Sequence, residues 1–148
     1  MSVILADAPS TTAGQGFGIP GLDASSKITF PEGLPGFPQY REFVLVESPV
    51  AGLAWLQSVE QEHLALLVAL PEVVCAESAV LMDSFRKKRL FTAVVITLPG
   101  VDRPAATANL KAPVVIDPES GVARQVILPD SRFSVTHPFD LQALLAAA

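Results

Sequence analysis

Two histidines and one cysteine carry the most versatile side-chain chemistry in this chain. They are His63, His137 and Cys75. A zinc site built mainly from histidine and cysteine would need nearly all of them, yet their spacing matches no recognised ligand pattern. His137 lies in an alternating apolar segment, and Cys75 lies within Val-Val-Cys-Ala, so both are expected to pack in the core. The sequence therefore predicts no metal centre.

No arrangement for nucleophilic or acid–base catalysis is recognisable either. The Gly-x-Ser-x-Gly turn that presents a nucleophilic serine does not occur. The carboxylates of Asp102, Asp117, Glu119 and Asp130 lie in turn-like segments, where such side chains bond their own backbone. Their spacing pairs no two of them as acid and base. We therefore expect a protein that is not an enzyme, with no catalytic residue and no cofactor.

The one block of positive charge is Arg86–Arg89, which reads Arg-Lys-Lys-Arg. Such a patch could contact RNA or the phosphate of a flavin. The chain has 15 acidic and 10 basic residues and a net charge of −5, which disfavours nucleic acid as a partner of the whole surface. We therefore expect Arg86–Arg89 to form a solvated turn tip. The net negative charge of the whole chain suits a basic protein as partner.

A corner rich in proline and glycine is expected to organise the chain around it. It spans Phe30–Phe37 and reads Phe-Pro-Glu-Gly-Leu-Pro-Gly-Phe. Pro35 and Gly36 fit the two central positions of a type II turn, and Gly33 is expected to act similarly. Leu34 is left as an apolar side chain between the two bends.

A second architectural segment is Thr107–Pro113. Asn109 lies there among small residues, ahead of a proline and an apolar run. Its side chain is expected to bond neighbouring backbone.

Short apolar and β-branched runs, separated by turn residues, make up most of the remaining chain. About eight such runs with regular turn signals indicate an antiparallel barrel or sandwich, and the 13 prolines fall mostly between them. The fold class is thus mainly β, a small antiparallel β-barrel or sandwich. Leu64–Leu70 is apolar throughout, which is typical of a strand buried on both faces. The runs are Ile28–Phe30, Phe43–Glu47, Ala54–Val59, Leu64–Leu70, Phe91–Leu98, a hairpin of Val114–Asp117 and Ala123–Leu128, and Arg132–His137 with Phe133, Val135 and His137 on one face.

Three segments lack a clear strand pattern. Met1–Ser26 is rich in Ala, Ser, Thr, Gly and Pro and is expected to be a flexible, unpaired lead, so that the folded domain spans residues 27–148. Glu77–Lys88 has helical spacing in part, but we favour a strand, Ala79–Met82, followed by a loop. Asp140–Ala147 is expected to be a short C-terminal helix capped by Asp140.

The chain also lacks the marks of export or membrane insertion. Its longest apolar run has seven residues, Leu64–Leu70, whereas a membrane helix needs about 18. No basic segment followed by an apolar stretch begins the chain. We therefore expect no secretory signal and no membrane partner, and the cytoplasmic location is what the family resemblance described next implies.

Four blocks, in this order, give the chain a resemblance to a known family. They are Ile28–Phe37, Leu56–Val59, Thr107–Ile116, and Gln125–Leu128 with Phe133–Pro138. Together they resemble the FliW family of flagellar assembly factors over roughly Lys27 to Pro138. The chain departs from the family pattern at its long N-terminal lead, where relatives begin with a strand, and at Arg86–Arg89, where relatives are often acidic.

The resemblance implies a small β-barrel-like protein without enzymatic activity. Such a protein binds newly made flagellin in the cytoplasm. It also binds the translational repressor CsrA and relieves its block on flagellin mRNA, so that secretion of flagellin frees it to act on CsrA. No direct contact with nucleic acid is implied.

The partner-binding candidates are Leu34 and Phe37, which an exposed turn would place at the rim of an apolar groove, and Gln57 and Asn109, from the family blocks. The alternative for the first two is corner packing, and for the other two a purely structural role. A flavin-binding split barrel and an RNA-binding repressor are the other functions left open, and both would depend on Arg86–Arg89.

Overall fold

The computed structural model describes residues 4–5, 27–34, 37–48, 50–75, 83–101, 105–130 and 132–147. Within them it has nine strands and three short helices. The strands are β1 (Ile4–Leu5), β2 (Lys27–Thr29), β3 (Glu42–Glu47), β4 (Leu53–Ser58), β5 (Leu64–Ala69), β6 (Phe91–Thr97), β7 (Thr107–Ile116), β8 (Ala123–Gln125) and β9 (His137–Pro138). The helices are α1 (Pro71–Val74), α2 (Asp83–Lys87) and α3 (Leu141–Ala147).

The sheet is an antiparallel meander that nearly closes on itself. Strands β2 to β8 pair in sequence order, β1 adds to β5, and β9 adds to β7. The two ends of the meander meet where the Thr29 amide donates to the Gly121 carbonyl at 2.8 Å and Thr29 bridges Val122 in parallel. The predicted antiparallel barrel is therefore confirmed.

Apolar side chains fill the barrel interior. Phe30, Phe43, Leu56 and Leu66 are among the fully buried members of this core. The rings of Phe30 and Phe43 meet edge to face with centroids 5.4 Å apart, a geometry that aromatic pairs favour. This contact anchors the chain just before the proline–glycine corner.

A second apolar layer covers the outside of β5, β6 and β7. Leu67, Ile96 and Leu110 belong to it, and Phe133 and Phe139 pack over them. All six residues of β5 are buried, so the strand contributes to both layers, as its uninterrupted apolar run predicts.

The hairpin between β7 and β8 confirms the predicted turn and shows why it contains glycine. Gly121 has φ +76°, and its amide donates to the Asp117 carbonyl at 2.7 Å. A Cβ at this position would lie 2.7 Å from the Lys27 carbonyl oxygen. Gly121 thus serves both the turn and the close approach of β2.

Strand β7 is longer than the sequence predicts. It begins at Thr107, where Val114 was expected, and its first residues pair with the end of β6, from Thr107–Thr97 to Asn109–Val95. The register then shifts, so that Val114 pairs with Ala93. The predicted architectural segment is therefore a bulged part of this strand.

The expected loop before Phe91 is wrong, because Asp83–Lys87 is helical. Phe85 anchors this helix on the second apolar layer, and its carbonyl accepts the amides of both Lys88 and Leu90. Arg89 takes a left-handed conformation, φ +62°, in the closing turn. The strand expected at Ala79–Met82 lies outside the described residues.

The expected strand Arg132–His137 is also wrong, except for its last residue, which begins β9. Phe133 is buried, whereas Val135 is 55% exposed, so the two do not share a face. Local bonds replace a strand ladder here, since the Thr136 amide donates to Ser134 Oγ at 3.0 Å.

The two chain ends give one correction and one confirmation. Ile4–Leu5 pairs with Ala65 and Leu64, so the prediction that the lead is unpaired is wrong at these two residues. Helix α3 forms where the C-terminal helix was expected, and Asp140 Oδ1 caps it by accepting the Ala143 amide at 2.9 Å.

Candidate functional site

The corner that follows β2 is fixed by its own backbone. The Gly33 amide donates to the Phe30 carbonyl at 2.9 Å, and the Phe37 amide donates to the Leu34 carbonyl at 2.8 Å. Gly33 has φ +73°, and a Cβ there would lie 2.3 Å from the Pro38 carbonyl oxygen. This confirms the role expected of Gly33. The turn predicted at 35–36 lies outside the described residues.

The expectation that Leu34 is exposed on this corner is wrong. Its side chain is 1% exposed and belongs to the barrel core. The bend turns Leu34 inward because burying a leucine releases more free energy than holding it between two turns in water. Leu34 therefore shapes the corner from beneath and offers no surface to a partner in this conformation.

Phe37 remains on the surface side of the corner. It is half-buried against the barrel core, and its ring stacks on Tyr40 with centroids 6.3 Å apart and 26° between the planes. The Tyr40 amide donates to the Phe37 carbonyl at 3.1 Å, which holds the two rings together. The pair presents an aromatic surface.

Gln57 uses its side-chain amide inside the β4–β5 hairpin. Its Nε2 lies within hydrogen-bonding distance of three carbonyl oxygens, at 3.1 Å from Ser58, 3.0 Å from Glu62 and 3.2 Å from Leu64. A side chain engaged in this way fixes the turn between two strands. Its structural role follows from these contacts, and a role in partner binding stays a prediction.

Asn109 has a similar structural role in the bulge of β7. Its Oδ1 accepts the Ala112 amide at 3.0 Å, as the prediction of a side-chain to backbone bond requires. Lys111, also in the bulge, holds it to the segment after β8, since its Nζ donates to the Leu128 carbonyl at 3.0 Å. The bulge is thus held by side chains that bond main chain.

A groove lies between the corner and β8. This cavity of about 390 Å³ is lined by Pro31, Glu32 and Gly33 on one side and by residues 123–126 on the other. Gln125 donates from Nε2 to the Ala112 carbonyl at 2.9 Å, while its Oε1 is buried without a hydrogen-bond partner. Sequence reasoning missed this groove because residues about 90 positions apart form its walls.

A second cavity, of about 450 Å³, lies beside α3. Pro99, Ala106, Phe139 and Leu141 line it, and the second apolar layer forms its floor. Neither this cavity nor the groove is lined by any residue of Arg86–Arg89.

Comparison with known proteins now decides the family. The model of the family described as FliW protein matches residues 12–139. The chain belongs to the FliW family. A protein of Bdellovibrio bacteriovorus named flagellar assembly factor FliW is 36% identical over 133 residues, which is 82% of this chain and 74% of the relative. The FliW of Geobacter sulfurreducens is 29% identical over 140 residues, covering 89% of this chain and 87% of that one.

A solved structure agrees with the family assignment at the level of the fold. The crystal structure of a flagellar assembly factor FliW superimposes with a TM-score of 0.64, at 23% identity, over 80% of this chain and 89% of the other. The nearly closed antiparallel barrel described above is therefore a FliW-type fold.

The four basic residues Arg86–Arg89 of this FliW-family chain form a surface tip. Arg86 pairs with Glu72 at 2.6 Å, and the other three, 87–89, are exposed around the end of α2. This matches the predicted solvated tip.

Two carboxylates of the described residues have lowered pKa values because they accept hydrogen bonds. Within that part of the chain, no three His, Cys, Asp or Glu side chains come close enough to hold a metal ion. The amides of Glu42 and Arg41 donate to Glu60 and lower the pKa of its carboxyl. Hydrogen bonds from Arg132 lower the pKa of Asp130 to about 2. Both carboxylates thus accept hydrogen bonds from backbone amides.

Among the described residues, no helix is long and apolar enough to cross a membrane.

Proposed function

We propose that this protein is a non-enzymatic flagellar assembly factor that acts in the cytoplasm by binding two proteins in turn, flagellin and a CsrA-type translational regulator. Secretion of flagellin would release the protein to bind the regulator, which would free flagellin mRNA for translation. Family membership over residues 12–139 carries this proposal, together with relatives named flagellar assembly factors.

The polar chemistry of the described residues supports recognition rather than reaction. The side-chain amides of Gln57 and Asn109 bond main-chain groups, so neither is placed to activate a substrate. A half-buried polar side chain that already has its partners stabilises the fold, and diverting it to a ligand would break a hairpin or a bulge.

The charge distribution supports a basic partner that docks away from α2. The chain carries a net charge of −5, although 87–89 form an exposed basic tip. A regulator that binds RNA has a basic surface, so acidic faces attract it while the tip repels it. We therefore place the regulator away from the tip.

The aromatic corner supports contact with flagellin. Phe37 and Tyr40 form a stacked, half-buried pair whose main chains share a hydrogen bond. Rigid aromatic side chains lose little conformational entropy on binding and often contribute most of the binding energy. Leu34 lies beneath them and holds the corner in shape.

The two complexes should be linked. If bound flagellin lowers the affinity of the protein for the regulator, bound regulator lowers its affinity for flagellin by the same factor. A pool of this protein would then report the cytoplasmic concentration of flagellin to the regulator.

Binding of the purified protein to flagellin and to the CsrA-type regulator of the same organism, separately and together, tests the proposal. We expect each to bind, and added flagellin to displace the regulator. Phe37→Ser should weaken flagellin binding about fivefold or more, as loss of an anchoring aromatic does. Val101→Ser, which removes another apolar side chain from a fully exposed position, is the matched control and should bind normally. Failure of the parent protein to hold either partner at micromolar concentration would refute the function.

A further inference from the structure

The pairing of β8 with β7 continues beyond the named strand. The Val126 amide donates to the Pro113 carbonyl at 3.0 Å, and the Leu128 amide donates to the Lys111 carbonyl at 2.7 Å. Both bonds keep the register set by Val114–Gln125 and its neighbours. Residues 122–128 therefore form one extended segment that pairs with β7.

Backbone groups alternate along this segment. In an antiparallel pair, every second residue exchanges hydrogen bonds with the partner strand, and the residues between them point their N–H and C=O groups the other way. Because 126 and 128 bond β7, the outward residues are 123, 125 and 127. Within the described residues, the structure gives no hydrogen bond for the amides of Gln125 and Ile127. We call 123, 125 and 127 the outer edge.

Barrel closure stops where the outer edge begins. Thr29 is the last residue of β2 and bonds Gly121 at 2.8 Å. To continue this parallel pairing by two residues, the backbone N–H of residue 31 would have to donate to the Ala123 carbonyl. Residue 31 is a proline and has no backbone N–H. The carbonyl of Ala123 and the groups beyond it are therefore not taken up by β2, and the groove of about 390 Å³ opens between them and the corner.

The walls of the groove carry a constrained backbone on one side and an acceptor without a donor on the other. Its far wall is held by Gly33, whose conformation and contact with Pro38 leave little freedom. Gln125, on the near wall, has a buried Oε1 that lacks a donor. A buried acceptor left unpaired costs stability, and an incoming N–H would remove that cost.

We propose that the outer edge receives an extended segment of a protein partner as an added β-strand. This inference rests on the proposed function and identifies the surface that would bind the partner. Main-chain bonds to Gln125 and Ile127 would supply the pairing, as in other cases of strand addition. The exposed Arg124 has no ion pair within the described residues, and Ile127 is 75% exposed. The segment should therefore carry an acidic side chain facing Arg124 and an apolar one near Ile127.

A second copy of this chain fits the edge less well. Pairing of two outer edges about a two-fold axis near Gln125 would bring two Arg124 side chains close together, and like charges on neighbouring strands repel. A concentration-dependent dimer that Ile127→Pro abolishes would show that the occupant is a copy and would overturn the proposal as stated.

Substitution of Ile127 separates backbone pairing from side-chain contact. Ile127→Pro removes the outward N–H and leaves the bonds of 126 and 128 to β7 in place. Ile127→Thr keeps the N–H and the preference for strand, and is the matched control. With flagellin and the CsrA-type regulator as probes, we expect the proline variant to weaken at least one complex about tenfold or more, and the threonine variant to weaken it no more than about threefold.

Hydrogen exchange on the unmodified protein gives the same test without a substitution, should the proline variant fail to fold. The amides of Gln125 and Ile127 should exchange freely in the isolated protein and become protected in the complex. Binding that leaves both amides unprotected, or that the proline variant retains in full, would overturn the edge and leave the proposed function standing. Absence of binding by the parent protein to either probe would refute both.

Discussion

Replacing Asn109 with alanine should destabilise the fold without altering the partner surface. The substitution removes the Oδ1 acceptor that lies 3.0 Å from the Ala112 amide in the β7 bulge. That amide would then lack its partner in a half-buried position. The net loss of such a bond is about 1 kcal/mol, and an unsatisfied donor adds to it, so we expect a loss of about 1–2 kcal/mol in the free energy of unfolding.

Urea denaturation measures this loss. With a slope of about 2 kcal/mol/M, the midpoint should fall by about 0.5–1 M. Asn109→Asp keeps an acceptor oxygen at the same position and is the control, so it should lose less stability than Asn109→Ala. Flagellin binding, measured well below the melting temperature, should be equal for the alanine variant and the parent protein.

Two results would refute this reasoning. An unchanged midpoint for Asn109→Ala would mean that the bond to Ala112 contributes nothing to the fold. Weakened flagellin binding by a variant of full stability would show that Asn109 contacts the partner directly.

Two further substitutions test the barrel closure and the pH dependence of the stability of the protein. Gly121→Ala should lower the free energy of unfolding by about 1–3 kcal/mol, because a φ of +76° is strained for alanine and the new Cβ would lie 2.7 Å from the Lys27 carbonyl oxygen. Thermal melting measures this loss. Gly100→Ala, at an exposed glycine, is the control and should change the melting temperature little. The pKa of Asp130 is lowered from 3.8 to about 2 by Arg132, so its stabilising effect is complete above 3.8 and is lost as pH falls to about 2. Urea midpoints of Asp130→Asn and the parent should thus differ most near neutral pH and converge near pH 2, and a constant difference would contradict the assignment.

Features set by neighbours in sequence could be predicted from the sequence. The β7–β8 hairpin, the capping role of Asp140 and the backbone bond of Asn109 each depend on residues within a few positions of one another. Strand β5 was predictable because a short run that is apolar at every position is typical of a strand buried on both faces.

Features that depend on distant pairing were not predictable. Leu34 turns inward because β2, β3 and β4 provide a core beneath it, which the local turn pattern does not show. The groove between Gly33 and Gln125 exists only because the meander closes. The segment after Arg132 alternates like a strand, yet local side-chain bonds between Ser134 and Thr136 take the place of a ladder.

The groups left over by closure determine how this barrel can recognise a partner. Gln57, Asn109 and Lys111 bond main-chain groups of their own fold, so releasing them would cost the hairpin or the bulge that they hold. The outer edge is different, because Pro31 withholds the donor that would have completed the ladder. Backbone pairing is available to any extended chain, whatever its sequence, and side chains beside it then select among candidates. Two unrelated proteins could therefore compete for one short edge, and mutual exclusion of the kind that the proposed switch requires would follow from geometry alone.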